Sequence, residues 1–127
     1  MDGVVKELRG KKIQDIQCFL PGTVIRDPEI EEEPFPAELT GHERRGKYMI
    51  LHLEGGNSLI IHLRMTGKLV SGAAMQSQFK HERACILLSG GKKMHFVDIR
   101  TFGKITLCRT RNIPKFMAAL GIEPLSE

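Results

Sequence analysis

Three short segments each join cationic side chains to a glycine and a large apolar or flexible side chain, a combination suited to holding a phosphate and entering a base stack. In Arg44-Arg45-Gly46-Lys47-Tyr48, two guanidinium groups and an ammonium precede an apolar run. Their heads gather at a sheet edge, where they either hold a phosphate or simply solvate a strand end. In His62-Leu63-Arg64-Met65-Thr66-Gly67, a flexible Met beside an Arg can fill a gap in a base stack. The alternative is a core Met65 and a structural His62. In Asp98-Ile99-Arg100-Thr101-Phe102-Gly103, Arg100 and Phe102 alternate, so both fall on one side of an extended stretch. An Arg can pair with an unpartnered base edge, and a Phe can slide between base pairs. The alternative is a turn capped by Asp98 with Phe102 in the core.

Charge fits either a polyanionic partner or an ordinary solvated basic surface. Net charge is +4, but residues 1–40 hold five basic and nine acidic side chains, a balance of −4. Residues 41–127 hold fourteen basic and six acidic, a balance of +8. Each Lys or Arg set against a phosphate releases a condensed counterion. The three cysteines, Cys18, Cys85 and Cys108, show no CxxC spacing, which argues against a disulfide framework and a zinc site. They read as reduced, buried thiols. There is no apolar run of about 18 residues, and the polar N-terminus does not resemble a secretory signal, so a cytoplasmic protein is expected and no membrane partner.

The elements that must position these residues are mostly strands. Residues 4–9 read as the end of a helix closed by Gly10, and residues 12–20 as a strand with Ile16, Cys18 and Leu20 on one face. Pro21-Gly22 signals a turn, and the acidic, proline-bearing stretch 27–36 an exposed, solvated loop. Residues 48–53 and 58–63 form a hairpin about Glu54-Gly55-Gly56-Asn57. Both runs are apolar on both faces and so belong between two layers. Gly67 to Val70 continues the second strand, and 71–80 is a loop. Strands follow at 83–88, 93–98 and 102–109, the last with Ile105 and Leu107 on one face. Pro114 opens a short helix carrying Phe116, Ala119 and Leu120, closed by Gly121. The expected fold is mainly β with flanking helices (α+β), a two-layered antiparallel β-sandwich forming one domain over residues 1–127.

The three segments, in order with Leu8-Arg9-Gly10-Lys11-Lys12-Ile13, Lys80-His81-Glu82-Arg83 and Leu120-Gly121-Ile122-Glu123-Pro124-Leu125-Ser126, resemble the formamidopyrimidine-DNA glycosylase and endonuclease VIII family across essentially the whole chain. The resemblance implies the N-terminal, catalytic-type β-sandwich of that family and base-excision repair of oxidised purines (8-oxoguanine, formamidopyrimidine) in duplex DNA, with AP lyase activity. By position, Lys47 matches a phosphate-contacting lysine and His62 a histidine lining the DNA path. Met65, Arg100 and Phe102 match the trio that fills the void left by a flipped nucleotide. Arg44, Arg45 and His81 join them as DNA-contacting candidates.

The family nucleophile is an N-terminal proline within Pro-Glu-Leu-Pro-Glu, whereas this sequence opens Met1-Asp2-Gly3. Neither Asp2 nor Glu7 takes over the acid–base role, and Lys47 is the one amine offered as a substitute. The family's helix–two-turn–helix module and its four-cysteine zinc finger also have no counterpart in these residues, so no metal or cofactor is expected here. The resemblance thus predicts a monomer that meets damaged double-stranded DNA in a bacterial-type, nucleoid-associated cytoplasm and is inactive alone. The alternative is a non-catalytic module that binds damaged DNA.

Overall fold

The computed structural model describes residues 11–45, 47–64, 67–73 and 80–121. They form a mainly β fold with nine strands, a 3-10 turn at Thr110–Asn112 and one short α-helix. The expected helix over 4–9 lies outside the described residues.

The hairpin of β4 (Tyr48–Leu53) and β5 (Asn57–His62) forms as the sequence predicts. Its turn needs positive φ, which Gly55 (87°) and Gly56 (82°) supply without the cost a Cβ would bring. Alternate residues serve two layers. Met49, Leu51, Leu53, Leu59 and Ile61 enter the main core, with Ile105 and Leu107 of β9 (Lys104–Arg109). Tyr48, Ile50, Ile60 and Cys108 enter a second cluster with Met117 and Leu120. That cluster seats the helix α1 (Ile113–Ala119) on the outer face. Each such aliphatic side chain contributes roughly 1.5–3 kcal/mol on full burial, so these strands are fixed from both sides. On α1, Met117 is the buried residue, whereas Ala119 is exposed, contrary to expectation.

The strands run in the order β2-β9-β5-β4-β3-β1-β7-β8-β6, with β2 (Val24–Arg26), β3 (Ala37–Arg45), β1 (Lys12–Cys18), β7 (Glu82–Leu88), β8 (Lys92–Val97) and β6 (Lys68–Ala73). β3 joins the two halves of the sandwich. Its start pairs with β1 (Ile13↔Ala37), and from Leu39 onward it pairs with β4, with a register shift between Leu39 and Gly41.

Several expectations are corrected. In β1 the strand stops at Cys18; Ile13 is the core residue, Ile16 and Leu20 are half-buried, and Cys18 is exposed. A register shift between Ile13 and Asp15 breaks the assumed alternation. Strands β2 and β3 were not anticipated, because three residues carry too little pattern and β3 is charged throughout its second half. β2 pairs parallel to β9, so the sandwich is not wholly antiparallel. Gly67 to Val70 does not continue β5. Arg64 at φ 56° and a Gly67 N–H to Leu63 carbonyl bond reverse the chain, and β6 crosses to pair with β8 in the other half. The stretch 27–36 is not simply solvated: Asp27 and Ile30 are buried.

Candidate nucleic-acid interface

Register alone gathers the cationic residues. Tyr48 pairs with His62 across β4 and β5, and His62 pairs with Lys104 across β5 and β9. Lys47 precedes Tyr48 and accepts a 2.8 Å hydrogen bond at its carbonyl from the Leu63 amide. The tip of the β3–β4 hairpin, the end of β5 and the start of β9 therefore lie at one end of the same half-sandwich. There Lys47, His62, Arg64, Thr101, Phe102 and Lys104 line an open cleft of about 620 Å³. No carboxylate is among these lining residues. Lys47, Arg64 and Lys104 are basic side chains, so an anion entering the cleft meets one sign of potential.

Each side chain is held differently. Arg64 donates through Nη2 to the Leu120 carbonyl at 2.9 Å, tying the β5 exit to the end of α1. His62 is half-buried, and its Nδ1 is enclosed with no hydrogen-bond partner among the described residues. Burial, and next the Arg64 charge, hold its pKa below the ordinary histidine value. It is therefore neutral at pH 7, with an enclosed ring nitrogen that a ligand or water can satisfy.

The loop before β9 presents Phe102. Phe102 is 55% exposed and Ile99 is 64% exposed, so this four-residue stretch carries two large apolar residues into solvent. Isolated exposed apolar residues are ordinary, but two in one loop at the mouth of a cationic cleft mark a contact surface. Asp98 caps the loop, as one sequence alternative supposed, yet Phe102 does not enter the core.

Of the residues singled out from sequence, Lys47, His62 and Phe102 thus share the cleft. Arg100 is exposed on the adjoining loop. Arg44 is exposed on β3, and the described side chains of the cleft do not include it. Arg45 ends β3, opposite Tyr48. His81 sits behind the loop rather than in the cleft, accepting at its carbonyl from the Asp98 amide. Met65 lies outside the described residues. Sequence reasoning passed over Arg64, Thr101 and Lys104 as lining residues. The signal for Lys104 is its cross-strand register with His62, which no local motif announces.

One buried cluster outside the cleft brings together possible metal ligands: Glu82, Cys85 and His95, with ligand atoms within 4.8 Å of one another. Its geometry is that of a hydrogen bond. His95 Nδ1 and Glu82 Oε2 are 2.6 Å apart. Two ligands about 2.0–2.1 Å from one tetrahedral zinc would stand roughly 3.3 Å apart. Burial, and next the Glu82 charge, push the Cys85 thiol up to about 11. Burial and Asp27 push Cys108 up to about 12. The cysteines do not converge either: Cys18 is exposed on β1, Cys85 buried in β7 and Cys108 buried in β9.

The profile of the formamidopyrimidine-DNA glycosylase N-terminal domain matches residues 1–105. The chain belongs to this family. It is 39% identical over 128 residues to the formamidopyrimidine-DNA glycosylase of Pelotomaculum thermopropionicum, covering 95% of this chain and 45% of that protein. The enzyme of Desulforamulus reducens is 38% identical, with 94% and 45% covered. A crystal structure of Lactococcus lactis Fpg in complex with Fapy-dG containing DNA superposes with a TM-score of 0.78 at 26% identity, over 93% of this chain and 44% of that one. The chain therefore spans about 45% of the length of these glycosylases. Within this family fold, the cationic side chains of the cleft come from β5, β9 and the turns beside them, and the Phe102 loop links β8 of the other half-sandwich to β9.

Proposed function

We propose that this chain is the DNA-engaging β-sandwich of a bifunctional base-excision enzyme. That enzyme removes oxidised purines such as 8-oxoguanine and formamidopyrimidine from duplex DNA, then cuts the abasic strand as an AP lyase. The observation that carries the reading is the cleft in which Lys47, His62, Arg64 and Lys104 surround the exposed Phe102. Cations without a wedge would serve any polyanion; a wedge without cations would serve any apolar partner. Their union suits a backbone gripped beside an opened base stack. The solved relative bound to Fapy-dG containing DNA supports the same partner.

In this reading Lys47 contacts phosphate near the lesion, and Arg44, Arg45 and His81 contribute further cationic or polar contacts. His62 lines the DNA path. Phe102 wedges the stack, Arg100 faces the orphaned base, and Met65 completes the void filling. Extruding a nucleotide costs a few kcal/mol, and occupying the gap offsets that cost. The domain acts as a monomer in the cytoplasm. The 127 residues carry no Pro-Glu-Leu-Pro-Glu stretch, so this polypeptide alone binds without excising, and Lys47 is the amine that could stand in.

The test is equilibrium binding of the 127-residue protein to duplexes that hold 8-oxoguanine, a tetrahydrofuran abasic analogue or no lesion. A preference of about tenfold for the abasic analogue, lost in Phe102→Ala, is expected. Equal affinity for all three duplexes would sink the proposal. Borohydride treatment of the 8-oxoguanine complex should trap no adduct; an efficient adduct would assign chemistry to this chain itself.

A further inference from the structure

We propose that Asp98 is a positioning residue: its carboxylate sets the 99–102 loop in a shape that projects Ile99 and Phe102 outward before any DNA arrives. The inference rests on the wedge reading above and adds to it the device that aims the wedge.

A loop with two large apolar side chains would ordinarily fold them inward, because water disfavours their exposure. Here the backbone forbids it. Asp98 is 1% exposed, and its two carboxylate oxygens take different amides of the loop. Oδ1 accepts from the Arg100 N–H at 3.2 Å and Oδ2 from the Gly103 N–H at 2.7 Å. One side chain thus closes the loop at both ends, and Thr101 at φ 63° reverses the chain between them. The space behind the loop is already filled. A Cβ on Gly103 would stand 2.5 Å from Phe96 Cζ, 3.0 Å from Asp98 Oδ2 and 3.0 Å from the His62 carbonyl oxygen. Phe96 is fully buried, so the loop's closing end at Gly103 is packed against the core, while Ile99 and Phe102 stand exposed.

Asp98 is itself anchored by its backbone. Its N–H donates to the His81 carbonyl at 3.1 Å, and its carbonyl accepts from Arg83 Nε at 2.9 Å. His81 is also at positive φ, 63°. The Lys80–Arg83 segment, which has no side chain among the described residues of the cleft, thereby acts as the mount for the loop. Ordering is completed during folding, so it is not charged against binding.

The experiment compares the wild-type 127-residue protein with Asp98→Ala, Asp98→Asn, Phe102→Ala and the remote variant Asp27→Asn. The readouts are the ratio of affinities for abasic-analogue over intact duplex, and amide exchange at Arg100 and Gly103. Asp98→Ala should bring the ratio to within about threefold of the Phe102→Ala value and speed both amides at least tenfold. Asp98→Asn keeps one oxygen for Gly103 but turns an NH₂ toward the Arg100 amide, so it should fall between. It also carries the test should the alanine variant fail to fold. Asp27→Asn should keep the wild-type ratio even with a lowered Tm. If Phe102→Ala loses the preference while both Asp98 variants keep it, the positioning role is wrong. If Phe102→Ala itself has no effect, the wedge reading fails and the positioning role falls with it.

Discussion

The side-chain amide of Asn112 donates a 2.8 Å hydrogen bond to the Asp27 carboxylate, 85 positions earlier in the chain. The same buried carboxylate accepts from the backbone N–H groups of Arg109 (3.1 Å) and Glu29 (2.9 Å). Around it, Arg109 pairs with Glu32, and Arg111 and Asn112 both reach Glu29. The acidic loop is therefore a brace between β2 and the exit of β9. Asp27→Ala leaves three donors without their acceptor and should destabilise the fold by about 2–3 kcal/mol. Thermal unfolding should show Tm lower by about 10 °C; an unchanged Tm would mean that the brace adds nothing.

The same group makes stability depend on acid. Burial alone would raise the Asp27 pKa, but the hydrogen bonds from Asn112, Glu29 and Arg109 and the charge of Lys115 outweigh it and hold the carboxyl below its ordinary value. A depressed folded-state pKa gives stability that is fully present above the unfolded value of about 4 and is lost as pH falls through the lower folded value. Tm should therefore drop more steeply below about pH 4 in wild type than in Asp27→Asn. Parallel curves for the two proteins would refute the assignment.

His62 has linkage of the same sign, in a higher pH window. Its folded pKa is depressed, so the unfolded chain binds a proton first and the neutral ring's contribution weakens as pH falls below about 6.5. A phosphate in the cleft favours the imidazolium, so DNA binding should take up a proton. Affinity for duplex should rise about threefold from pH 7.5 to 6, and His62→Gln should flatten that rise. NMR titration of the ring, with and without duplex, checks the mechanism; no upward shift on binding would contradict it.

Lys47 and Lys104 should act as phosphate contacts with no sequence preference. Alanine at either should lower affinity for any duplex and reduce the slope of log K against log salt by about 0.9, with about twice that for the double variant. A salt slope equal to wild type in the double variant would place the DNA elsewhere on the molecule.

Much of this was legible in the sequence, for a physical reason. The β4–β5 hairpin, the Gly-Gly turns, β7 to β9 and the helix after Pro114 each announce themselves through local periodicity and turn chemistry. Tyr48 to Leu53 is apolar at nearly every position, which already placed it between two layers. The charge of the later two-thirds and the Arg-x-Phe loop after Asp98 were compatible with nucleic acid, but equally with a solvated basic face and a capped turn.

Tertiary structure decided what depends on partners distant in the chain. Ile13 rather than Cys18 is the core residue of β1 because a register shift intervenes. β6 leaves β5 because Arg64 turns the chain, and the acidic loop folds down because Asp27 finds Asn112 and the Arg109 amide. Lys104 joins His62 only through strand register, and Gly103, next to the exposed Phe102, packs too closely on Phe96 to carry a side chain. Local sequence encodes the period of an element, whereas register, reversal and exposure are settled by what the rest of the chain leaves room for.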